Sequence, residues 1–289
     1  MEILKSKLLI KFSDYFDKFP QKNSNWNCGF AIHNNKYVFL CRNEVSKYSE
    51  KYWGKKLDSY YPRAVPTYAE FSFDNSLLCV SHVNKSEDYI LSDVRLFNHK
   101  DILYSTGTYR SDKAQKDGKR RVDQFLARQF DNNLVFLPFE HSFPLPQKNW
   151  TPLLSDSLYF ENYEQKTNCR DLLEYSGSKL RLVNRFHTNF KLRGNCQSAI
   201  FDGKLLSVYH FHKNRYYWHY LILSEPYFPF NPIRISKPFR FNLGNSEREP
   251  IQFVMGLEVK EDVFFSYGVQ DSDNYLVIVS KNDIKKILD

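Results

Sequence analysis

One motif recurs along the chain and constrains its fold more than any other feature: an apolar strand, a tight polar turn and a second apolar strand. The clearest copy is Ala199–Tyr209, in which Asp202 and Gly203 form the turn. Asp-Gly favours a type I′ turn, because both central residues of that turn need a positive φ. The pattern therefore predicts an antiparallel hairpin, entered through the polar loop 191–198 and leading to His210.

Five further hairpins of this form are predicted, at Ala31–Leu40, Glu70–Val80, Arg95–Tyr104, Phe130–Leu137 and Leu257–Tyr267. Two more strands are expected at Tyr216–Leu223 and Tyr275–Ser280. Aromatic residues make up 17% of the chain, which favours strands over helices. Many short antiparallel strands predict a sandwich, a barrel or a propeller, and the regular hairpins favour a propeller with four-stranded blades. At roughly fifty residues per blade, the chain accommodates about five.

The first twenty residues follow a different pattern. Apolar residues at Leu8, Leu9, Phe12, Tyr15 and Phe16 have the spacing of one amphipathic helix. We therefore expect an all-β, five-bladed β-propeller with a short N-terminal helix. The expected division is a helical extension over residues 1–22 and a single propeller domain over residues 23–289.

Charge, hydropathy and cysteine usage narrow the class of protein. The net charge of +8 comes from 41 basic and 33 acidic residues spread along the chain, and the one dense run, 113–121, is interpreted as a solvated loop. Nucleic acid is therefore not predicted as a partner, and no apolar window is long enough to cross a bilayer. Five cysteines without a C-x-x-C motif fit free thiols in a reducing compartment, so a cytoplasmic protein is expected.

Polar side chains recur where the predicted strands begin or end, and loops at one end of a propeller's central channel would collect them. The candidates for a pocket there are Arg42, Asp93, Arg95, Arg110, Lys148, Asn149, Trp150, Arg193, Gln197, His210 and Asp271. A sugar needs this mixture: hydrogen-bonding groups for its hydroxyls and an aromatic face for its apolar side. Each residue alone also has a structural interpretation, such as a buried core position for Trp150 or a turn cap for Asp271.

Other types of site have weaker support. His210, His212 and His219 with Asp271 could form a metal site, but no spacing fixes a ligand geometry, so no metal and no cofactor is predicted. Cys196 could be a nucleophile, yet no partner base is identifiable and a packed thiol is the preferred interpretation. The chain has no P-loop, no G-x-G-x-x-G and no G-x-S-x-G motif.

Several segments resemble, in order, motifs of the β-mannoside phosphorylase and mannosidase group of glycoside hydrolases, which are five-bladed β-propellers. They are Asp93–Phe97, Gln147–Leu153, Arg193–Ser198, Ile251–Gly256 and Phe265–Asp271. The first is similar to E-D-P-R-L-F of that group. The second and third resemble E-K-N-W-x-P-F and R-G-G-S-Q of a branch found beside or fused to glycosyltransferases. The likeness extends from about residue 25 to about residue 280.

The resemblance implies inverting glycosyl transfer on a mannoside-like sugar. Asp93 matches the acid that helps to protonate the leaving oxygen, while phosphate or water attacks from the opposite face; a transferase would use an acceptor hydroxyl and a nucleotide-sugar donor. The implied partners are a sugar or nucleotide-sugar substrate, inorganic phosphate and a partner glycosyltransferase. Arg95 would position Asp93 or bind a substrate oxygen, and the alternative is an internal salt bridge between them. From its position alone, Asp271 could be a second carboxylate or a base.

The chain departs from the family pattern beside these residues. Ser92 and Val94 replace the Glu and Pro that flank the family acid, and Asn195 and Cys196 replace the second Gly and the Ser of R-G-G-S-Q. These changes motivate an alternative from another class, a non-catalytic glycan-binding or scaffold propeller that assists a glycosyltransferase. A nucleic-acid-binding propeller is a third hypothesis, motivated only by the charge of +8.

Overall fold

The computed structural model describes residues 2–18, 25–43, 65–85, 89–111, 123–137, 140, 150–164, 168–188, 191–213, 216–242, 251–269 and 273–289. Over these ranges the backbone is mostly β-strand, with a 3₁₀ helix near the start and one α-helix at the end. The predicted all-β class is confirmed. Among the described helices, none is long and apolar enough to span a membrane.

The strands in the described ranges form five mainly antiparallel sheets. Sheet 1 consists of β3 (Asn25–His33), β4 (Lys36–Asn43), β5 (Val65–Phe71) and β6 (Leu77–His82). Sheet 2 consists of β8 (Tyr89–His99), β9 (Ile102–Ser111), β10 (Asp123–Phe130), β11 (Asn133–Phe136) and β7 (Asn84–Lys85). Sheet 3 consists of β12 (Thr151–Leu154), β13 (Leu158–Glu164), β14 (Cys169–Ser176) and β15 (Lys179–His187).

The last two sheets include strands from both ends of the chain. Sheet 4 consists of β16 (Arg193–Gly194) and β17 (Ala199–Phe201) on one edge, then β18 (Lys204–Lys213), β19 (Tyr216–Ser224), β20 (Pro232–Ile235), β21 (Phe239–Phe241) and β1 (Glu2–Leu4). Sheet 5 consists of β22 (Gln252–Val259), β23 (Val263–Val269), β24 (Asp273–Val279) and β2 (Lys7–Lys11).

The predicted hairpins are confirmed, and their turns have the expected chemistry. All six pair as antiparallel neighbours, and the predicted strands at 216–223 and 275–280 are found as β19 and β24. Asp202 and Gly203 have φ values of 48° and 74°, as a type I′ turn requires. Asn34 and Asn35 have φ values of 48° and 56° between β3 and β4. Asn and Asp tolerate this left-handed conformation better than most residues.

The predicted N-terminal helix is wrong. Residues 7–11 form the outer strand β2, which pairs with β24, and Phe12–Lys18 forms a 3₁₀ helix. Ile10 and Phe12 are buried, two residues apart, which is the period of a strand. Leu8 is 41% exposed, and the register between β2 and β24 shifts between Leu8 and Ile10. Apolar spacing alone did not show that a partner strand lies more than 260 residues away in the sequence.

The α-helix of the described chain lies at the other end and was not predicted. This helix, α1 (Lys281–Leu288), begins at Ser280, whose hydroxyl accepts a hydrogen bond from the backbone N–H of Asp283. Its buried residues are Ile284, Ile287 and Leu288, which lie on one helical face against sheets 4 and 5. A capping Ser before a 3,4-spaced apolar set was a readable signal.

Five clusters of buried apolar residues join the sheets in a cycle. Four of them lie between sheets 1 and 2, 2 and 3, 3 and 4, and 4 and 5. The fifth contains Ile10 and Leu276 of sheet 5 together with Phe30 and Phe39 of sheet 1. Each sheet therefore has a neighbour on both faces. This explains why strands such as β23 are buried at every position.

The edge strands β3, β8, β12, β16, β17 and β22 face the middle of this cycle and are called the inner strands. Among them, β3 packs on β8 and β22, and β17 packs on β12 and β22. Two glycines permit this close approach. A Cβ at Gly29 would lie 2.6 Å from the carbonyl oxygen of Val94, and a Cβ at Gly256 would lie 2.5 Å from the Cβ of Phe30. Any side chain at either position would push inner strands apart.

The expectation of five free thiols is wrong for two cysteines. Cys28 of β3 and Cys41 of β4 lie opposite each other and form a disulfide. Residues opposite each other on neighbouring antiparallel strands have side chains close enough to be bonded, and the Cα atoms of this pair lie 4.1 Å apart. Cys79, Cys169 and Cys196 take no part in a disulfide among the described residues, and the last two are buried. Cysteine spacing in the sequence could not reveal a pairing that depends on strand register.

Candidate functional site

Asp93 lies in a β-bulge of inner strand β8. The register between β8 and β9 shifts between Ser92 and Arg95, and Asp93 has a φ of 52°. A bulge re-aims the side chains around it, and a left-handed non-glycine residue inside a strand must be held by its surroundings. Asp93 is partly exposed, whereas its neighbours Val94 and Arg95 are each 1% exposed. The strand therefore presents one carboxylate away from the core.

Arg95 holds the bulge and joins it to a second element. Its Nη1 donates a hydrogen bond to the carbonyl oxygen of Asp93 at 2.6 Å, and its Nε donates to the carbonyl oxygen of Asn195. Burial lowers the pKa of the guanidinium, and the charge of Asp93 opposes that change. An arginine stays charged in this setting. Arg95 therefore connects β8 of sheet 2 to the 193–198 loop of sheet 4.

The 193–198 loop is tied down by a chain of side-chain hydrogen bonds through Asn195. The Nδ1–H of His210 donates to Asn195 Oδ1, and Asn195 Nδ2 donates to Nδ1 of His219 at 3.2 Å. The Nε2–H of His219 then donates to the carbonyl oxygen of Gln252 at 3.0 Å, at the start of inner strand β22. Asn195 and both histidines are at most 2% exposed. The chain fixes one tautomer for each imidazole.

The surroundings of His210 are basic. Burial is the main cause that holds its pKa well below 6.5, and the charges of His219, Arg193, His212 and Arg95 lower it further. Arg193 pairs with His210 across β16 and β18, so the two are cross-strand neighbours. The rings of Tyr217 and Phe253 lie 5.5 Å and 5.0 Å from the His210 ring, between centroids. At neutral pH, His210 is therefore an uncharged hydrogen-bonding group close to two arginines.

Gln197 and Glu258 lie beside the inner strands, where Gln197 is fully buried and Glu258 is half-buried. The Nε2 of Gln197 donates to the carbonyl oxygens of Phe30 at 3.0 Å and Leu257 at 2.8 Å, and the residue is fully buried. Glu258 accepts a hydrogen bond from the backbone N–H of Ile32 at 3.4 Å. Burial raises the pKa of Glu258 to about 7, against the opposing hydrogen bonds of Ile32 and Gln197 and the charge of Lys260. The amide of Gln197 thus holds sheets 1, 4 and 5 together.

Glu258 was missed at the sequence level. It interrupts the apolar run of β22, and a carboxylate inside a buried strand is the signal that could have identified it.

The remaining predicted site residues lie in other surroundings or outside the described part of the structure. Trp150 is 1% exposed and its ring lies 5.1 Å from Phe160 in the cluster between sheets 2 and 3, which is the core position considered as the alternative. Arg42 lies in β4 and Arg110 in β9, and the structure describes only their backbone. The predicted substrate ligands Lys148 and Asn149 and the predicted carboxylate Asp271 lie outside the described residues.

Two other types of site receive no support from the described residues. Cys196 is fully buried, and burial raises the pKa of its thiol, which suppresses the nucleophilic thiolate. Within the described ranges, no three His, Cys, Asp or Glu side chains are gathered so that they could hold a metal ion. The groups brought together at the start of the inner strands are thus Asp93, Arg95, Arg193, Asn195 and His210.

No family model matches the sequence, and no curated protein matches it. The fold, in contrast, is similar to solved structures. A β-1,2-mannobiose phosphorylase from Listeria innocua, in complex with β-1,2-mannobiose, has a TM-score of 0.68 and 14% identity over 92% of each chain. A mannose phosphorylase from Leishmania mexicana, in complex with a phosphate ion, has a TM-score of 0.60 and 13% identity over 91% of this chain and 86% of that one.

A glycosyl hydrolase from Bacteroides ovatus gives a TM-score of 0.63 and 12% identity over 90% of this chain and 85% of that one. The match in each case spans nearly the whole length of both chains. Because the sequence identities are this low, these similarities show the fold alone. The chain shares the fold of β-mannoside phosphorylases and related glycosidases.

Proposed function

We propose that the chain is a five-bladed β-propeller that catalyses inverting glycosyl transfer on a mannoside-like sugar. The cycle of five sheets and the similarity to mannoside phosphorylases and glycosidases support the propeller and the carbohydrate-active class. The observation that carries the catalytic part is the bulge at Asp93, which presents one carboxylate beside a cluster of basic and amide groups.

In this proposal Asp93 is the general acid and protonates the leaving oxygen, directly or through a substrate hydroxyl. An inverting reaction needs one acid on the leaving-group side and a nucleophile on the opposite face of the sugar. Asp271 is proposed as a second carboxylate. Arg95 is a positioning residue, because it fixes the backbone of Asp93 and of Asn195.

Among the nucleophiles, we propose inorganic phosphate ahead of water or an acceptor hydroxyl. Arg193 and Arg95 supply positive charge near His210, and an anion bound beside them would gain from two guanidinium groups. His210 is an uncharged hydrogen-bond partner there. Arg42, Arg110, Lys148, Asn149, Trp150 and Gln197 are kept as proposed substrate ligands from the sequence, although Trp150 and Gln197 are buried in the fold.

The competing function is a non-catalytic glycan-binding or scaffold propeller that assists a glycosyltransferase. The observation that favours it is that Arg95, Asn195 and Gln197 use hydrogen bonds on the protein itself. The departures at Ser92, Val94 and Cys196 favour it too. A cytoplasmic location stays a prediction, and the Cys28–Cys41 disulfide weakens the cysteine argument for it.

The test is an incubation with β-1,2-mannobiose, with and without phosphate, and a parallel incubation with nucleotide sugars and mannosyl acceptors. We expect mannose 1-phosphate of inverted anomeric configuration to form in the first incubation. Asp93→Asn should lower kcat by about 10²-fold or more, because loss of general acid catalysis costs that much. Asp101→Asn is the matched control, since Asp101 has a φ of 61° in the exposed turn of the same hairpin.

Equal rates for Asp93→Asn and the wild-type protein would contradict the assignment of Asp93. Binding of the sugar without turnover under any of these conditions would favour the scaffold function.

A further inference from the structure

A concave surface lies at the far end of the inner strands. It is an open groove of about 570 Å³ formed by the turns that follow β8 and β12 and by the loop that follows β19. Asp93 and His99 are six residues apart on β8, so the groove lies about 20 Å along the strand from the candidate active site. The two sites are therefore on opposite faces of the cycle of sheets.

The groove combines aromatic rings with uncharged hydrogen-bonding groups. Tyr159, Tyr227 and Phe228 contribute aromatic rings to the lining, and His99, Ser155 and Ser157 are among its polar residues. Burial and the neighbouring Lys100 lower the pKa of His99, so the ring is neutral at pH 7. The remaining charges, Lys100 and Asp156, cancel. A volume of this size is typical of ligand sites.

Two of these rings are exposed. Tyr227 is 63% exposed and Phe228 is 46% exposed, although large apolar rings are usually covered.

The loop that carries these exposed rings is held rigidly. The backbone N–H of Phe230 donates to the carbonyl oxygen of Tyr227 at 2.7 Å, and that of Glu225 donates to Asn231 at 3.0 Å. Phe230 is fully buried, its ring lies 5.2 Å from Tyr159, and its φ is 58°. A bulky residue with positive φ is uncommon and persists only where its surroundings impose it. The rings of Tyr227 and Phe228 are thus displayed at little further entropic cost.

We propose that this groove is a second binding site, separate from the candidate active site. Its ligand is a neutral oligosaccharide. Pyranose rings present C–H faces that pack on aromatic rings, and their hydroxyls bond to amide, imidazole and hydroxyl groups. A lining without net charge disfavours a phosphorylated or acidic ligand. The choice of a sugar over other neutral ligands rests on the proposed function.

The experiment is native gel electrophoresis of the whole chain in gels that contain yeast mannan, galactomannan, xylan or barley β-glucan. We expect at least one polysaccharide to retard the wild-type protein and the Asp93→Asn variant equally. The double variant Tyr227→Ala/Phe228→Ala should weaken that binding by about tenfold or more, because two stacking surfaces are lost. Phe130→Ala is the matched control, since Phe130 is 51% exposed outside the groove.

Turnover of β-1,2-mannobiose is measured on the same proteins. Turnover without retardation of the wild-type protein would overturn the groove and leave the proposed function standing. Retardation that depends on Tyr227 and Phe228, without turnover, would support the groove and reject the catalytic proposal. Equal retardation of the wild-type protein and the double variant would overturn the groove. So would a change of oligomeric state in the double variant, measured by light scattering, which would mark a contact between copies of the chain.

Discussion

The side chains at the two ends of the inner strands differ in how far they are exposed to solvent. At the Asp93 end, Arg95, Asn195 and His210 are buried and bond to one another or to backbone carbonyls. At the groove end, Tyr227 and Phe228 project into solvent from an anchored loop. The difference teaches that the first site is part of the fold, so damage to it should also unfold the chain. The exposed rings of the second site contribute little to the fold, so substitutions there should leave the stability of the chain nearly unchanged.

The largest expected effect is at Arg95, where Arg95→Met should lower the free energy of unfolding by about 3 kcal/mol or more. The substitution removes this donor from the buried carbonyl oxygen of Asn195 and from the partly buried one of Asp93, and each loss of a charged hydrogen bond costs about 1.5–3 kcal/mol. Urea unfolding followed by tryptophan fluorescence measures the change.

Arg234→Met is the control for that measurement, because Arg234 bonds to Asp289 with both side chains more than half exposed. Its effect should stay below about 1 kcal/mol. Similar losses for the two variants would remove the contrast between a fold-coupled site and an exposed surface.

The pH dependence of the unfolding free energy at Glu258 is a further test of this comparison. Its folded pKa is about 7, above the ordinary value of 4.5, so the folded chain binds more protons than the unfolded chain between these values. The contribution of Glu258 is therefore fully present below about pH 4.5 and is lost as pH rises to about 7. The difference in unfolding free energy between the wild-type protein and Glu258→Gln should fall by up to about 1.4 kcal/mol per pH unit in that window.

Urea titrations at half-unit intervals from pH 4.5 to pH 8.5 follow this difference. Parallel profiles for the two proteins would show that the carboxyl of Glu258 is well solvated in the folded chain. Asp273→Asn is a second comparison, since burial also raises the pKa of Asp273, which accepts hydrogen bonds from Ser13 at the start of β24.

The smallest effect is expected in the groove. Tyr227→Ala should change the free energy of unfolding by about 0.5 kcal/mol or less, because most of that ring already faces water. The same urea titration at pH 7 measures it, and a loss above about 2 kcal/mol would show that the loop and the fold depend on each other.

How much the sequence predicts differs between local and distant features. Turn chemistry is local, so Asn34-Asn35 and Asp202-Gly203 located their hairpins correctly. The position of β2 depends on pairing with β24, and no pattern within Lys7–Lys11 records that partner. Ser280 and the apolar set of α1 were local signals and could have been used.

The same distinction applies to the candidate site. The motifs around Asp93 and Arg193 pointed to two segments that Arg95 does bring together. Motifs alone could not show that the amide of Gln197 donates hydrogen bonds to Phe30 and Leu257, because those acceptors are backbone carbonyls of distant strands. The motif identified Asn195 only as the replacement of a glycine. In the structure its side chain is the centre of a hydrogen-bond chain.

The pairing of β2 with β24 has a consequence for synthesis on the ribosome. Lys7 lies opposite Ile278, so the fifth sheet cannot gain its outer strand until nearly all of these 289 residues have been translated. Until then the face of the nascent first sheet that will pack on sheet 5 stays exposed, including Phe30 and Phe39. Long-range strand pairing of this kind is slow and leaves unpaired edges open to aggregation. The emerging chain is therefore most open to aggregation before its two ends meet.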